Sequence, residues 1–199
     1  MEDMEEFNSL RERAAQGDAE AQFQLAVRYD NAAGVPRDPV AAANWYRFAA
    51  EQAHGLAQFH LGLMLNAGDV GFERDDVAAA RWFLQAAEQG VADAQFNLGL
   101  MYYTAEGVEQ NDGEAFRWFA AAVEQGHAKA QFNLGVLYAN GHGCETDNIA
   151  AYQFWLMAVM QGDANANANI AMMRDKLTAE QADAAQASAV EWANQHLNG

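Results

Sequence analysis

With 199 residues, 51% of them apolar and only two of them proline, the chain can build a packed core and lacks the composition of disorder. Its net charge of −17, with lysine only at Lys129 and Lys176, excludes the basic stripe that displaces counterions from DNA or RNA and repels anionic lipid, so neither nucleic acid nor membrane is an expected partner. A single cysteine, Cys144, excludes an intramolecular disulfide framework, and no run approaches the ~20 apolar residues of a membrane span.

The first predicted element is a lone helix from Glu5 to Gln16, with Phe7 and Leu10 facing inward and Gly17 ending it. Its leading stretch, Met1 to Leu10, is acidic where a secretory leader is basic and then apolar, so a cytoplasmic location is expected. From there the chain repeats itself. Ala-Gln-Phe begins at Ala21, Ala57, Ala94 and Ala130, in steps of 36, 37 and 36 residues. Leu25, Leu61, Leu98 and Leu134 follow in register, each with a small neighbour: Ala26, Gly62, Gly99 or Gly135. An aromatic recurs at Trp45, Trp82, Trp118 and Phe154, and a loop glycine at Gly34, Gly71, Gly107 and Gly143.

Each unit reads as two helices. In the third copy Ala94, Leu98 and Tyr102 make one stripe at helical spacing, and a glycine-bearing loop follows. The second helix opens at Asp38, Asp75, Asn111 or Asp147, whose short side chains can accept bonds from free N–H groups of the first turn; Pro39 fits the next position. It closes in Gln-Gly at Gly90, Gly126 and Gly162. Ala53 breaks that pattern, and Gly55 is expected to take over the turn. A glycine inside a helix costs about 1 kcal/mol relative to alanine, so Gly62, Gly99 and Gly135 mark close helix–helix approach, with the recurring aromatic filling the remaining space. The final helix opens at Thr178 with capping-box spacing to Gln181 and carries Val190 and Trp192.

The pattern Ala-Gln-x-x-Leu-Gly-x-x-Tyr, Gly-Val, Asp, Ala, Trp-Tyr/Phe, Ala-Ala, Gln-Gly resembles the Sel1-like repeat, a relative of the tetratricopeptide repeat. Arg28, Leu65 and Ala53 depart from it. The resemblance implies an all-α fold, a right-handed α-solenoid of antiparallel helix pairs. It places repeats at 18–53, 54–90, 91–126 and 127–162, between an N-terminal capping helix at 1–17 and a degenerate fifth repeat with a C-terminal capping helix at 163–199, in one continuous domain. Some relatives with this repeat are described as penicillin-binding or β-lactamase-like; those are secreted and cysteine-paired, and with a single cysteine and an acidic leading stretch this chain is expected to share neither feature.

Catalytic and metal chemistry find no foothold in the residue inventory. Ser9 and Ser188 are the only serines and lie in no nucleophile motif. The five histidines form no His-Glu-x-x-His, and His142-Gly-Cys144 offers two soft ligands where structural zinc usually takes four. Asp75-Asp76 reads as a helix cap. No enzyme activity, cofactor or metal is expected.

The informative positions lie on the first helices. A second apolar stripe runs through Phe96, Leu100 and Tyr103, with Phe59 and Leu63, Phe132 and Val136, and Phe23 and Val27 as counterparts. It is either contact between neighbouring repeats or the lining of an inner groove. One column is polar in every copy: Gln24, His60, Asn97, Asn133 and Asn169. Mid-helix asparagine is a poor helix former, so these amides either bridge neighbouring helices, meet water or bond an extended peptide. By the resemblance this side faces the concave groove, which nominates Phe59, His60, Leu63, Phe96, Asn97, Leu100, Tyr103, Phe132, Asn133, Val136 and Asn169 as partner-binding residues. The expected function is an adaptor or scaffold that binds a protein or peptide, with a monomer favoured over an oligomer. The alternatives are a hydrolase or enzyme subunit with a cryptic site, and a self-associating structural protein.

Overall fold

A computed structural model describes residues 2–68 and 73–197. Gly71, expected in the loop-glycine column, lies outside the described residues. Among these there are eleven helices and no strand: α1 (Glu2–Ala15), α2 (Ala19–Asp30), α3 (Pro39–Glu51), α4 (Gly55–Ala67), α5 (Asp76–Glu88), α6 (Ala92–Thr104), α7 (Asp112–Glu124), α8 (Ala128–Asn140), α9 (Asn148–Met160), α10 (Ala166–Arg174) and α11 (Ala179–His196). The all-α architecture of antiparallel helix pairs is the one the repeat spacing predicts.

The chain divides into two compact units. One is Met1–Ala94 with Glu106–Val108; the other is Gln95–Ala105 with Glu109–Gly199. In the first, α1 buries Phe7, Leu10 and Ala14 against Ala21 and Leu25 of α2, and α3 packs between α2 and α4. In the second, α11 lies against α9 and contributes Ala182 and Ala185 to a core with Tyr152, Trp155 and Met173. The buried residues of α11 are alanines; Val190 is exposed and Trp192 half-buried, so small side chains rather than the two large ones let this helix approach.

The predicted caps are present. Asp38, Asp75, Asn111 and Asp147 each accept a backbone N–H of their helix's first turn at 2.9–3.1 Å. Thr178 and Gln181 form the reciprocal capping box. Three further caps are unexpected: Asp18 accepts from the Ala21 amide at 3.0 Å, and the Nδ1 atoms of His54 and His127 accept from the Ala57 and Ala130 amides at 3.2 and 3.1 Å. At the end of α3, Ala53 itself adopts the left-handed conformation (φ +62°), which corrects the expectation that Gly55 takes over; Gly55 is the first residue of α4. The bond from the His54 amide to the Ala49 carbonyl, matched by Val91 to Ala86 and His127 to Ala122, holds Ala53 there despite the Cβ. Two of the loop glycines are tightly held: a Cβ on Gly107 would collide with the Asp76 carbonyl, and one on Gly143 with the Asp112 carbonyl, whereas Gly34 has open space around it.

The helix-interior glycines mark close approach, but to a different aromatic from the one expected. The rings against Gly62, Gly99 and Gly135 are Phe83, Phe119 and Trp155, each one residue after the Trp82, Trp118 and Phe154 of the recurring column. Tyr46, Phe83 and Phe119 are fully buried, whereas Trp45, Trp82 and Phe154 are half-buried, and only Trp118 of that column is buried. Adjacent helix positions point about 100° apart, so only one of two neighbouring rings can face the glycine.

A buried amide ladder also runs through the repeats. The glutamines of Ala-Gln-Phe, at Gln22, Gln58, Gln95 and Gln131, are buried, and their Oε1 atoms accept from Gln52, Gln89, Gln125 and Gln161 at 2.7–2.9 Å. Each bond ties the start of a first helix to the end of the second helix that follows it in the chain. The donors are the residues before each helix-stop position, so the two glutamine columns of the sequence are one structural device.

Candidate functional site

The second apolar stripe is half-buried throughout, so it neither vanishes into the core nor stands free. In the first unit, Phe59 lies 5.9 Å from the Phe83 ring, Leu63 is half-buried on the same helix, and His60 stacks on Tyr46 at 4.7 Å with the rings 3° from parallel. Burial lowers the His60 pKa against the pull of Asp30 and Asp93, which favours the neutral ring that this stack accommodates.

In the second unit, Phe96 lies 5.8 Å from Phe119 and stacks on His127 at 4.7 Å. Leu100 and Tyr103 rest against the core around Phe119 and Leu134, and Phe132 and Val136 against the core around Trp155. The Trp155 Nε1–H donates to the Phe132 carbonyl at 3.1 Å, fixing the indole beside Gly135.

The polar column divides. Gln24 is exposed and donates to Glu20 at 2.7 Å on its own helix. Asn97, Asn133 and Asn169 are half-buried. One amide proton of Asn133 goes to the Lys129 carbonyl, a turn earlier, at 2.9 Å. Its side-chain oxygen and second amide proton are not used in that bond.

Two clefts in the second unit gather five of the expected residues. One, of about 460 Å³, is lined by Phe96, Phe132 and Asn133 together with Lys129, Gln161 and Asp163. The other, of about 340 Å³, is lined by Val136 and Asn169 with Trp155, Met172, Met173 and Lys176. Phe59, His60, Leu63, Asn97, Leu100 and Tyr103 line neither. A third cleft, of about 500 Å³, lies in the first unit against α1 and carries none of the expected residues. The two lysines are the site residues that sequence reasoning passed over. Their signal was visible: Lys129 stands one turn before Asn133, and the lysines are the only two in the chain.

Asp75 caps α5, and Asp76 is held below its usual pKa first by a hydrogen bond from Arg74. Cys144 is half-buried, and burial first, with Asp147, raises its thiol pKa. Among the described residues no three His, Cys, Asp or Glu side chains gather as metal ligands, and no helix is long and apolar enough to cross a membrane.

Fold and faces together define a helix-pair repeat protein. The Sel1 repeat family model matches residues 19–54, 55–91, 92–127 and 128–163, and the chain belongs to the Sel1 repeat family. Sel1 repeat proteins generally serve as protein-interaction scaffolds. The fold is similar to that of a Sel1 repeat protein from Oxalobacter formigenes, with 31% identity over 90% of this chain and 73% of that one, and a TM-score of 0.76. It is also similar to a protective antigen of uropathogenic Escherichia coli strains that displays an SLR fold, with 26% identity and a TM-score of 0.60; this chain is 92% covered and spans 47% of that protein. No curated protein matches the chain.

Proposed function

We propose that this protein is a non-catalytic adaptor that binds a protein or peptide on the face formed by its first helices. The observation that carries the reading is the cleft where Phe96, Phe132 and Asn133 meet Lys129. Half-buried aromatics supply apolar contact at low entropic cost, while the amide and ammonium supply directional bonds, which is the composition of a recognition groove. The family's general role as interaction scaffolds supports the same reading.

The double change Asn97→Ala with Asn133→Ala tests it. Each hydrogen bond contributes about 0.5–1.5 kcal/mol net, so capture of partners from the source lysate should weaken roughly tenfold. Thermal stability should hold or rise slightly, since alanine is the better helix former. Changing the exposed Arg81 and Arg117 on α5 and α7 should have much less effect. Binding lost through the arginines would place the partner on the second-helix face. Unfolding of the asparagine variant would make the amides struts between helices.

A further inference from the structure

The cations of this acidic chain are mostly committed. Of eleven lysines and arginines, Arg13, Arg28, Arg37, Arg74 and Arg117 form ion pairs, and Arg11 and Arg47 lie over aromatic rings. Neither lysine has an ion-pair partner among the described residues, and both line clefts of the second unit. Lys129 shares its cleft with Asp163. The cleft of Lys176 has no acidic lining residue: Val136, Ala139, Trp155, Met172 and Met173 form its apolar walls, and Asn140 and Asn169 bring the only amide side chains.

The opening exists because α10 is short. It runs for nine residues, where each earlier first helix runs for twelve or thirteen, and it stops at Arg174. Met172 is left 63% exposed on the cleft wall, a flexible apolar side chain that can close on what enters. A volume of about 340 Å³ is at the lower end for ligand sites and suits one or two residues rather than a folded surface.

The charges narrow the occupant further. A lone ammonium in an apolar cleft calls for one carboxylate, yet the net charge of −17 repels a segment rich in acids. A polypeptide C-terminus reconciles the two, because it brings one carboxylate next to an apolar side chain without acidic neighbours. We propose that the cleft between α8, α9 and α10 binds the C-terminal residue of a partner, its apolar side chain against Trp155 and the methionines and its carboxylate on Lys176 and Asn169. This rests on the partner-binding reading above and names the chemistry of the partner.

The test uses the full chain and fluorescein-labelled decapeptides of glycine, serine and two lysines ending in leucine or phenylalanine, each made as the free acid and as the amide. Fluorescence anisotropy should show saturable binding of an acid form, with its amide at least about fivefold weaker, in the range of a charge-assisted bond. Lys176→Gln should weaken the acid by a similar factor and leave the amide unchanged, so the two changes together do no more than either alone. Arg174→Gln, the neighbouring exposed cation, should change neither, and thermal melts check that each variant is folded. Equal binding of acid and amide, equal weakening of both by Lys176→Gln, equally tight binding of an amidated peptide ending in glutamate, or no saturation below about 1 mM would overturn the proposal. Equal binding of acid and amide leaves the adaptor reading standing. Lysate capture that is insensitive to Asn97→Ala with Asn133→Ala bears on the adaptor face and not on this cleft.

Discussion

Replacing Gly99 by alanine sets two opposed effects against each other on α6. Helix propensity alone favours the change by about 1 kcal/mol. Packing opposes it: the new Cβ would lie 2.8 and 2.9 Å from Cδ1 and Cε1 of Phe119 and 3.3 Å from the Ala115 carbonyl oxygen. Ordinary carbon contacts are about 3.5–4.0 Å, so the ring must retreat by roughly 0.7 Å or more. Phe119 has no exposed surface and sits in a core with Ala122, Leu134 and Leu137, so it has no free space to enter. Overpacking of this kind costs about 1–3 kcal/mol, which makes Gly99→Ala a net loss of about 1 kcal/mol. Urea denaturation followed by far-UV circular dichroism measures it. Adding Phe119→Leu, which removes the ring edge, should recover at least about 1 kcal/mol relative to the sum of the single changes. A Gly99→Ala variant stabilised by about 1 kcal/mol would show that the helices separate freely and that the glycine column has no packing role.

The neighbouring aromatics give a second comparison: Phe83→Ala should cost about 3–5 kcal/mol and the half-buried Trp82→Ala clearly less, and the reverse order in denaturation midpoints would restore the recurring tryptophan as the core residue. Ala53→Gly should stabilise by about 1 kcal/mol, because the φ of +62° carries a Cβ penalty that glycine lacks; a lower melting temperature would mean that this turn is not left-handed in solution. His60 makes stability pH-dependent. Its folded pKa lies below the ordinary 6.5, so the unfolded chain binds the proton more readily and stability falls as pH drops from 6.5 towards the folded pKa. His60→Gln should flatten that slope, and an unchanged slope would assign the acid sensitivity to other groups.

Much of the fold was legible because the repeat is periodic. Four copies of one pattern announced the helix pairs, and Asp38, Asp75, Asn111 and Asp147 announced their caps, since capping is a local interaction between a side chain and the next turn of backbone. The first-helix stripe was also readable as apolar on two sides. The sequence alone could not choose between Trp82 and Phe83, because adjacent aromatics are equally hydrophobic and only the direction of the facing helix picks one. Nor could it join Gln58 to Gln89 or Gln131 to Gln161, although both columns were in view, because a hydrogen bond across about thirty residues depends on how the helices pack. Ala53 holds a left-handed turn against its own preference because the bonds at the end of α3 outweigh it. The clefts needed the tertiary structure for the same reason: the two lysines stood out in the sequence by their rarity, but only helix packing sets Lys129 beside Phe96 and Phe132, and Lys176 beside Val136, Trp155 and the methionines.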